Sequence, residues 1–310
     1  MIQLNTGKLQ TIVLPSTNKA LARVLQELSP EKFAQLSQAK DLSSILNSIF
    51  KESATSELQN QTLLELLKNN PTMKELGSIK STMKELLFFL QNDKQNLPIE
   101  KHLQSMLSDI KNIDDKTLKT KLENSGLFLE SKLKNLNAQD AKIQELLSND
   151  FKAALLKTKQ ELESSLLPNK TQLLNIVDKL SLQIDYYQLL SHLSNASAMY
   201  IPYDFDALED GSFSVKKDKN GAYFCDIELN LKEYGELRIR LGLFEKKFLN
   251  INVTTQNQEL KNLLLPDIKE LKEQLTSTGL LVQDIRFIDP NETKYTQETK
   301  DIDLGFEVKI

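Results

Sequence analysis

Hydrophobic positions in this chain follow two periods, and the change falls near residue 200. In the first part apolar side chains recur every three to four positions. Leu21, Val24, Leu25 and Leu28 form one stripe, and Leu42, Ile45, Leu46, Ile49 and Phe50 form the next. Ile79, Met83, Leu86, Leu87 and Leu90 make another. Such spacing puts one apolar side on a helix of 3.6 residues per turn. Ser29-Pro30 marks a helix start, with Ser as N-cap and Pro at the first helical position. Asn69-Asn70-Pro71 ends a helix, because the residue before proline is pushed out of the α region. Pro98 opens the helix carrying Leu103, Met106, Leu107 and Ile110.

Further along, Leu118, Leu122, Leu129, Leu133 and Leu136 are spaced for one helical face, and Gly126 falls on it. A glycine there either admits a neighbouring backbone or marks a bend. Asn137 caps a helix through Ile143, Leu147, Phe151, Leu155 and Leu162. Leu173, Ile176, Val177 and Leu180 lead into Tyr186, Tyr187, Leu190 and Leu193. The segments 51–62, 91–98 and 111–116, rich in Ser, Asn and Lys, read as polar loops.

Ile201-Pro202 ends the helical regime, and Phe213 and Val215 begin a strand. The period then drops to two. Tyr223, Cys225, Ile227, Leu229 and Leu231 share one face against Asp226, Glu228 and Asn230. Leu237, Ile239, Leu241 and Leu243 alternate with Arg238 and Arg240, and Leu249, Ile251 and Val253 with Asn250 and Asn252. Each run puts its apolar residues on one side of a sheet. Lys219-Asn220-Gly221, Tyr234-Gly235 and Glu245-Lys246-Lys247 supply the reversals. A helix after Asn257 carries Leu260, Leu264, Ile268, Leu271 and Leu275, with a kink or fresh start at Pro266 and an end at Gly279. Ile285 and Phe287 give a closing strand, and Ile302–Ile310 reads as an edge strand.

These patterns predict an α+β chain. Residues 1–199 form a helical, loosely packed stalk, and 200–310 a small antiparallel-rich sheet domain with one packed helix. Short isolated helices are marginal in water, so the front half is expected to be the less stable.

Composition narrows the class. The 310 residues contain one cysteine, Cys225, and no tryptophan. An internal disulfide is therefore ruled out, and Cys225 reads as a buried thiol on an inward strand position. No apolar run approaches the roughly 20 residues that span a bilayer, and Met1–Pro15 lacks the apolar core of a secretory signal, so a reducing cytoplasm is the expected compartment. The formal charge of −4 is uneven: Tyr200–Ile310 holds 15 Lys and Arg against 21 Asp and Glu, and the first 199 residues 24 against 22. A nucleic-acid-binding tail domain, which needs a basic surface, is disfavoured.

The side chains that carry catalysis do not gather in the sequence. His102 and His192 stand far apart on helical segments, and metal sites draw on tightly spaced His and Cys. Glycine-rich phosphate loops and nucleophile elbows are missing. The run Asp204, Asp206, Glu209 and Asp210 departs from a calcium loop, with Leu208 at the fifth position and Glu209 at the sixth, and reads as a solvated loop. No enzyme activity, cofactor or metal is expected.

The pattern Leu229-x-Leu231-x-x-Tyr234-Gly235-x-Leu237-x-Ile239-x-Leu241, followed by a hairpin and a helix with Leu271, Leu275 and Gly279, resembles the C-terminal domain of the flagellar hook-length control family. The family pattern has Pro where this chain has Leu231 and Leu where it has Tyr234. The segments Glu123–Leu133 and Asp185–Leu190, leading to Leu208–Gly211, also look like divergent members. The resemblance implies a non-enzymatic regulator, exported through the flagellar type III apparatus, that reports hook length and switches export from hook to filament substrates. It implies two kinds of partner: the cytoplasmic domain of the export switch protein, and hook or hook-cap proteins. Arg238, Arg240 and Tyr234 are the expected contacts, with Leu229, Leu231, Gly235, Leu237, Ile239, Leu271, Leu275 and Gly279 as motif and packing residues. A helical chaperone or structural protein for export substrates is the alternative. As a ruler, about 180 residues would span on the order of 600 Å extended but about 270 Å as one helix.

Overall fold

The computed structural model describes residues 11–28, 36–50, 55–92, 97–134, 136 and 142–288. They form an α+β chain of two compact units. One is helical and runs to Asn195, with Pro202–Phe205 added; the other holds Ala196–Ile201 and the chain from Asp206.

The helical unit begins with α1 (Lys19–Leu28), α2 (Leu42–Ile49), α3 (Ser56–Asn69), α4 (Pro71–Lys74), α5 (Ile79–Asn92) and α6 (Ile99–Met106). It continues with α7 (Asp115–Glu123), α8 (Leu129–Lys134), α9 (Lys142–Asn149), α10 (Phe151–Ser164) and α11 (Lys170–Ser194). Polar caps set the starts: Asp41, Thr55, Asn70, Asp114 and Asp150 each accept a hydrogen bond from a backbone N–H in the first turn. The 25-residue α11 is the axis, with α1, α3, α5 and α10 packed on it. Leu173, Val177, Leu180, Ile184 and Leu189 are fully buried there, facing a core that includes Leu21, Leu25, Leu63, Leu67, Leu86 and Leu90.

Several boundaries differ from the periodicity reading. The stripe from Leu118 to Leu136 is two helices, because the chain turns at Gly126, where φ is +90°. A Cβ on Gly126 would sit 2.8 Å from the backbone N of Lys152, so the glycine serves both the bend and the close approach. The stripe from Ile143 to Leu162 is also two helices, because Asp150 starts a new one at Phe151. Residues 56–62, read as loop, open α3, where capping by Thr55 and burial of Gln59 outweigh their polarity. Ile110 falls in a separate 3-10 turn after α6. The Ser29-Pro30 start, the Asn137 cap and the strand at Ile302–Ile310 lie outside the described residues.

The second unit is one six-stranded sheet in the order β1 (Ser197–Tyr200), β2 (Leu208–Lys217), β3 (Tyr223–Leu231), β4 (Gly235–Phe244), β5 (Phe248–Thr255) and β6 (Leu281–Ile288). All neighbours are antiparallel except β5 and β6. That last pair is bridged by α12 (Gln258–Leu264), a 3-10 turn through Pro266, and α13 (Ile268–Ser277). The fresh start at Pro266 follows from its missing N–H. β1 escaped the sequence reading because four residues are too few to show a period. The crossover helices do not seal the sheet: α12 packs on β5 and α13 on β6, and α13 has no fully buried side chain.

Candidate functional site

The register of β2–β6 fixes what each sheet face presents. Phe213, Ile227, Ile239, Val253 and Phe287 lie in one cross-strand row, and Val215, Cys225, Leu241, Ile251 and Ile285 in the next. Leu249, Ile251 and Val253 on β5 are buried, while Phe213, Ile227, Leu229, Ile239 and Leu241 are half-buried. The motif residues Leu231 and Leu237 are buried, and Leu229 sits opposite Leu237. Cys225 has a thiol pushed up to about 12 by burial, with the neighbouring Asp226 adding to the effect, so it stays protonated and inert.

The opposite face carries the charges. Ser214, Asp226, Arg240, Asn252 and Arg286 form one row, and Ser212, Glu228, Arg238 and Thr254 the adjacent one. Arg240 Nε donates to Asp226 Oδ1 at 2.5 Å, while buried Asp226 Oδ2 has no hydrogen-bond partner among the described residues. Arg238 is 2.7 Å from Glu236 on its own strand, with Glu228 in register across β3. The two arginine side chains remain 42% and 38% exposed. Tyr234 is half-buried in the β3–β4 turn, beside Gly235 at φ +74°. A Cβ on Gly235 would meet nothing within 4 Å, so the backbone angle alone calls for glycine.

Continuing along β4 past Arg240, the same face reaches Gly242 and then Phe244. The Phe224 and Phe244 rings stack edge-on at 5.7 Å, and Phe248 and Leu281 share this face. Sequence reading missed this aromatic end. Its signal was present: Phe224 and Phe244 stand in the polar phase of their strands, where alternation calls for hydrophilic residues. A charged strip ending in Phe244, 37% exposed, beside half-buried Phe224 and Phe248 has the composition of a protein-contact surface, where Arg and aromatic residues are enriched.

Other candidates dissolve into structure. Asp204 lies in the helical unit, where Lys80 reaches one carboxylate oxygen and Lys84 the other at 2.7 Å; although burial opposes its charge, the two lysines hold it below the usual carboxylate range. Glu209 and Asp210 belong to β2. His102 is half-buried and its pKa is lowered by that burial. Among the described residues no three His, Cys, Asp or Glu converge on a metal geometry, and no helix is long and apolar enough to cross a membrane. Leu271 is 41% exposed, Leu275 half-buried, and Gly279 follows the end of α13.

The densest polar cluster lies inside the helical unit. Lys152 Nζ contacts Glu130 Oε1 at 2.6 Å, Asp185 Oδ1 at 2.8 Å and Gln188 Oε1 at 2.8 Å. Burial opposes the charge on Lys152, but Asp185 and Glu130 outweigh it and hold the ammonium above its ordinary value. Asp185 Oδ2 accepts from the Lys19 backbone N–H at 2.8 Å, and its carbonyl accepts from Asn18 Nδ2 at 3.1 Å. Gln188 Nε2 donates to the Leu127 carbonyl at 3.1 Å. Nearby, Asp150 Oδ1 caps α10, while Lys132 Nζ stands 3.6 Å from Oδ2. Burial pushes Asp150 up to about 6, against Lys132 and two backbone N–H groups, with Glu130 adding to the rise. Lys152, Glu130, Asp185 and Gln188 pair with one another and bind helices together, while buried Asp150 Oδ2 has no hydrogen-bond partner among the described residues.

Residues 212–294 match the family model described as flagellar hook-length control protein FliK. No curated protein and no solved structure matches the chain.

Proposed function

We propose that this chain, whose residues 212–294 match the flagellar hook-length control family, is a non-enzymatic regulator that stops hook growth by engaging the export gate. The match supports a role in hook-length control, and it falls on the sheet unit with its crossover helices rather than on the helical unit. That position is the observation that carries the reading. On this proposal residues 200–310 are the recognition domain and 1–199 the stalk that reports hook length. The chain begins in the cytoplasm and passes out through the type III apparatus, meeting hook or hook-cap proteins on the way.

The cytoplasmic domain of the export switch protein is the proposed partner, and binding it changes export from hook to filament substrates. The contact face is the outer side of β4, where Arg238 and Arg240 lead to Phe244, with Tyr234 at the turn. Arg240 is paired with its cross-strand neighbour Asp226, whose side chain is 14% exposed, whereas the carboxylate at Arg238, Glu236, is 57% exposed, so Arg238 is the more readily transferred to a partner. Removal of a central arginine from such an interface typically costs at least tenfold in affinity.

The test is capture of the cytoplasmic domain of the switch protein by the full chain, wild type against Arg238→Glu with Arg240→Glu. At least tenfold weaker capture is expected; undiminished capture removes this face from the proposal. Deletion of the gene supplies the functional arm. Long, uncontrolled hooks without filaments are expected, whereas normal hooks with unstable export substrates point to the chaperone instead.

A further inference from the structure

The buried cluster at the start of α10 holds more negative groups than positive ones. Asp150, Glu130 and Asp185 face Lys132 and Lys152. Donors are shared unevenly among the three carboxylates. Glu130 Oε1 accepts from Lys152 Nζ, and Oε2 accepts from Gln188 Nε2 at 2.6 Å. Asp185 Oδ1 accepts from Lys152 Nζ, and Oδ2 from the Lys19 N–H. Asp150 Oδ1 accepts from the N–H groups of Lys152 and Ala153. Asp150 Oδ2 accepts from nothing, although its side chain is 0% exposed. Lys132 Nζ, 3.6 Å away, donates instead to the Glu123 carbonyl and to Asn124 Oδ1.

We propose that Asp150 is a proton-operated latch: with a proton on Oδ2 it holds the turn at Gly126 against the start of α10, and as a carboxylate it loosens that junction. A neutral carboxyl is far less costly to bury than a carboxylate whose oxygen lacks a donor. With the proton in place, two carboxylates face two lysines. Burial pushes the Asp150 carboxyl up to about 6, with Glu130 adding to the rise against Lys132 and the two backbone N–H groups. Burial pushes Asp185 upward too, but both of its oxygens hold donors, so Asp150 is the group left to take the proton. The other elements around the site supply no further partner for Oδ2. His102 of α6 bonds the Ser148 backbone and is held toward its neutral form by burial. Glu123 of α7 turns its carboxylate to Lys119, and Lys142 and Glu145 of α9 are exposed.

The geometry also says what moves. The Phe151 N–H donates to the Asn124 carbonyl at 2.9 Å, and the Gly126 backbone lies close against Lys152. Oδ2 is closed to solvent behind this contact. The ionised oxygen gains water only when the turn swings away from α10, a local opening that leaves the rest of the bundle packed. The folded-state value lies above the ordinary 3.8. Closure is therefore strongest below about pH 4, weakens as pH rises toward about 6, and is constant beyond it. The latch needs no partner and is independent of the export reading.

Hydrogen exchange on the full chain, corrected for the intrinsic pH dependence of amide exchange, tests it. The opening constants of the Phe151, Lys152 and Ala153 amides are expected to be about tenfold or more higher at pH 7 than at pH 4.5. At pH 7 these amides are expected to be at least about tenfold less protected than Val177 in the middle of α11, which marks opening short of global unfolding. In Asp150→Asn, which keeps the capping oxygen, the pH dependence is expected to be lost. Carbon-13 NMR of the aspartate carboxyls is the second measurement: one signal is expected to titrate near pH 6 in the wild type and to be missing from Asp150→Asn. Opening that does not change with pH, the same pH dependence in the variant, protection equal to that of Val177, or no such carboxyl signal each overturns the proposal.

Discussion

In the helical unit a lysine, two carboxylates and a glutamine amide meet in the interior around α11. In the sheet unit the charges stay in rows on one outer face, and the inner face holds aliphatic and aromatic side chains and one thiol. The two regions therefore spread their cohesion differently. The sheet distributes it over a backbone ladder and many similar apolar contacts, none of which is decisive. The helical unit concentrates it: Lys152 alone touches α8 through Glu130 and α11 through Asp185 and Gln188, and Asp185 reaches on to the start of α1. A buried polar junction adds little net stability over an apolar one, but it penalises every arrangement that leaves a member unpaired.

The sharpest way to break this contrast is Lys152→Met. It strands buried Asp185, and half-buried Glu130 beside it, without their cation, and a loss of about 3–5 kcal/mol is expected. Urea unfolding followed by far-ultraviolet circular dichroism reads it, and a change below about 1 kcal/mol would mean the junction is not a keystone. The next largest effect is in pH. Asp150 has a folded-state pKa of about 6 against 3.8. Its contribution is therefore full below about pH 4 and is lost as pH rises through about 6, by up to about 3 kcal/mol. Asp150→Asn keeps the cap oxygen and removes the charge. It is expected to be more stable than wild type at pH 7.5 and to lose that advantage below about pH 4. Parallel pH profiles for the two proteins would refute the assignment.

Two glycines then sharpen the comparison. Gly126→Ala forces a side chain against the Lys152 backbone as well as into an unfavourable φ, and about 2 kcal/mol or more is expected. Gly235→Ala meets open space and bears only the backbone term, about 1 kcal/mol. The difference between their melting temperatures tests close approach against conformation. The smallest effect is Leu271→Ala on the exposed side of α13. A stability change within about 0.5 kcal/mol is expected, against the 2–5 kcal/mol typical when a buried leucine such as Leu25 is truncated.

How much of this was legible in the chain depended on whether a residue's partner was local. Strands β3, β4 and β5 were readable because alternation is written within each strand, and their turn residues confirm the breaks. The restart at Pro266 was equally local. Asp150 and the Gly126 turn divide what looked like continuous stripes, because a cap or a left-handed residue stops a helix without disturbing the spacing of its leucines. The Lys152 junction was invisible for another reason. Its members lie up to 58 residues apart, and each alone looks like an ordinary surface charge on an amphipathic helix. The face with Arg238 and Arg240 could be found by phase, but the Phe224 and Phe244 pair required knowing that two strands run side by side.

The contact between Asn18, Lys19 and Asp185 joins positions 166 and 167 residues apart, so the first described helix lies on the last one of its unit. This closure has a mechanical corollary. Tension applied at the leading end does not load the bundle evenly; it peels α1 from α11 one contact at a time, as a zip opens rather than as a rod snaps. Once α1 is gone, the central helix has lost one wall and the remaining packing offers less resistance than the first step. On the export route proposed above, α1 is the first element to leave the bundle.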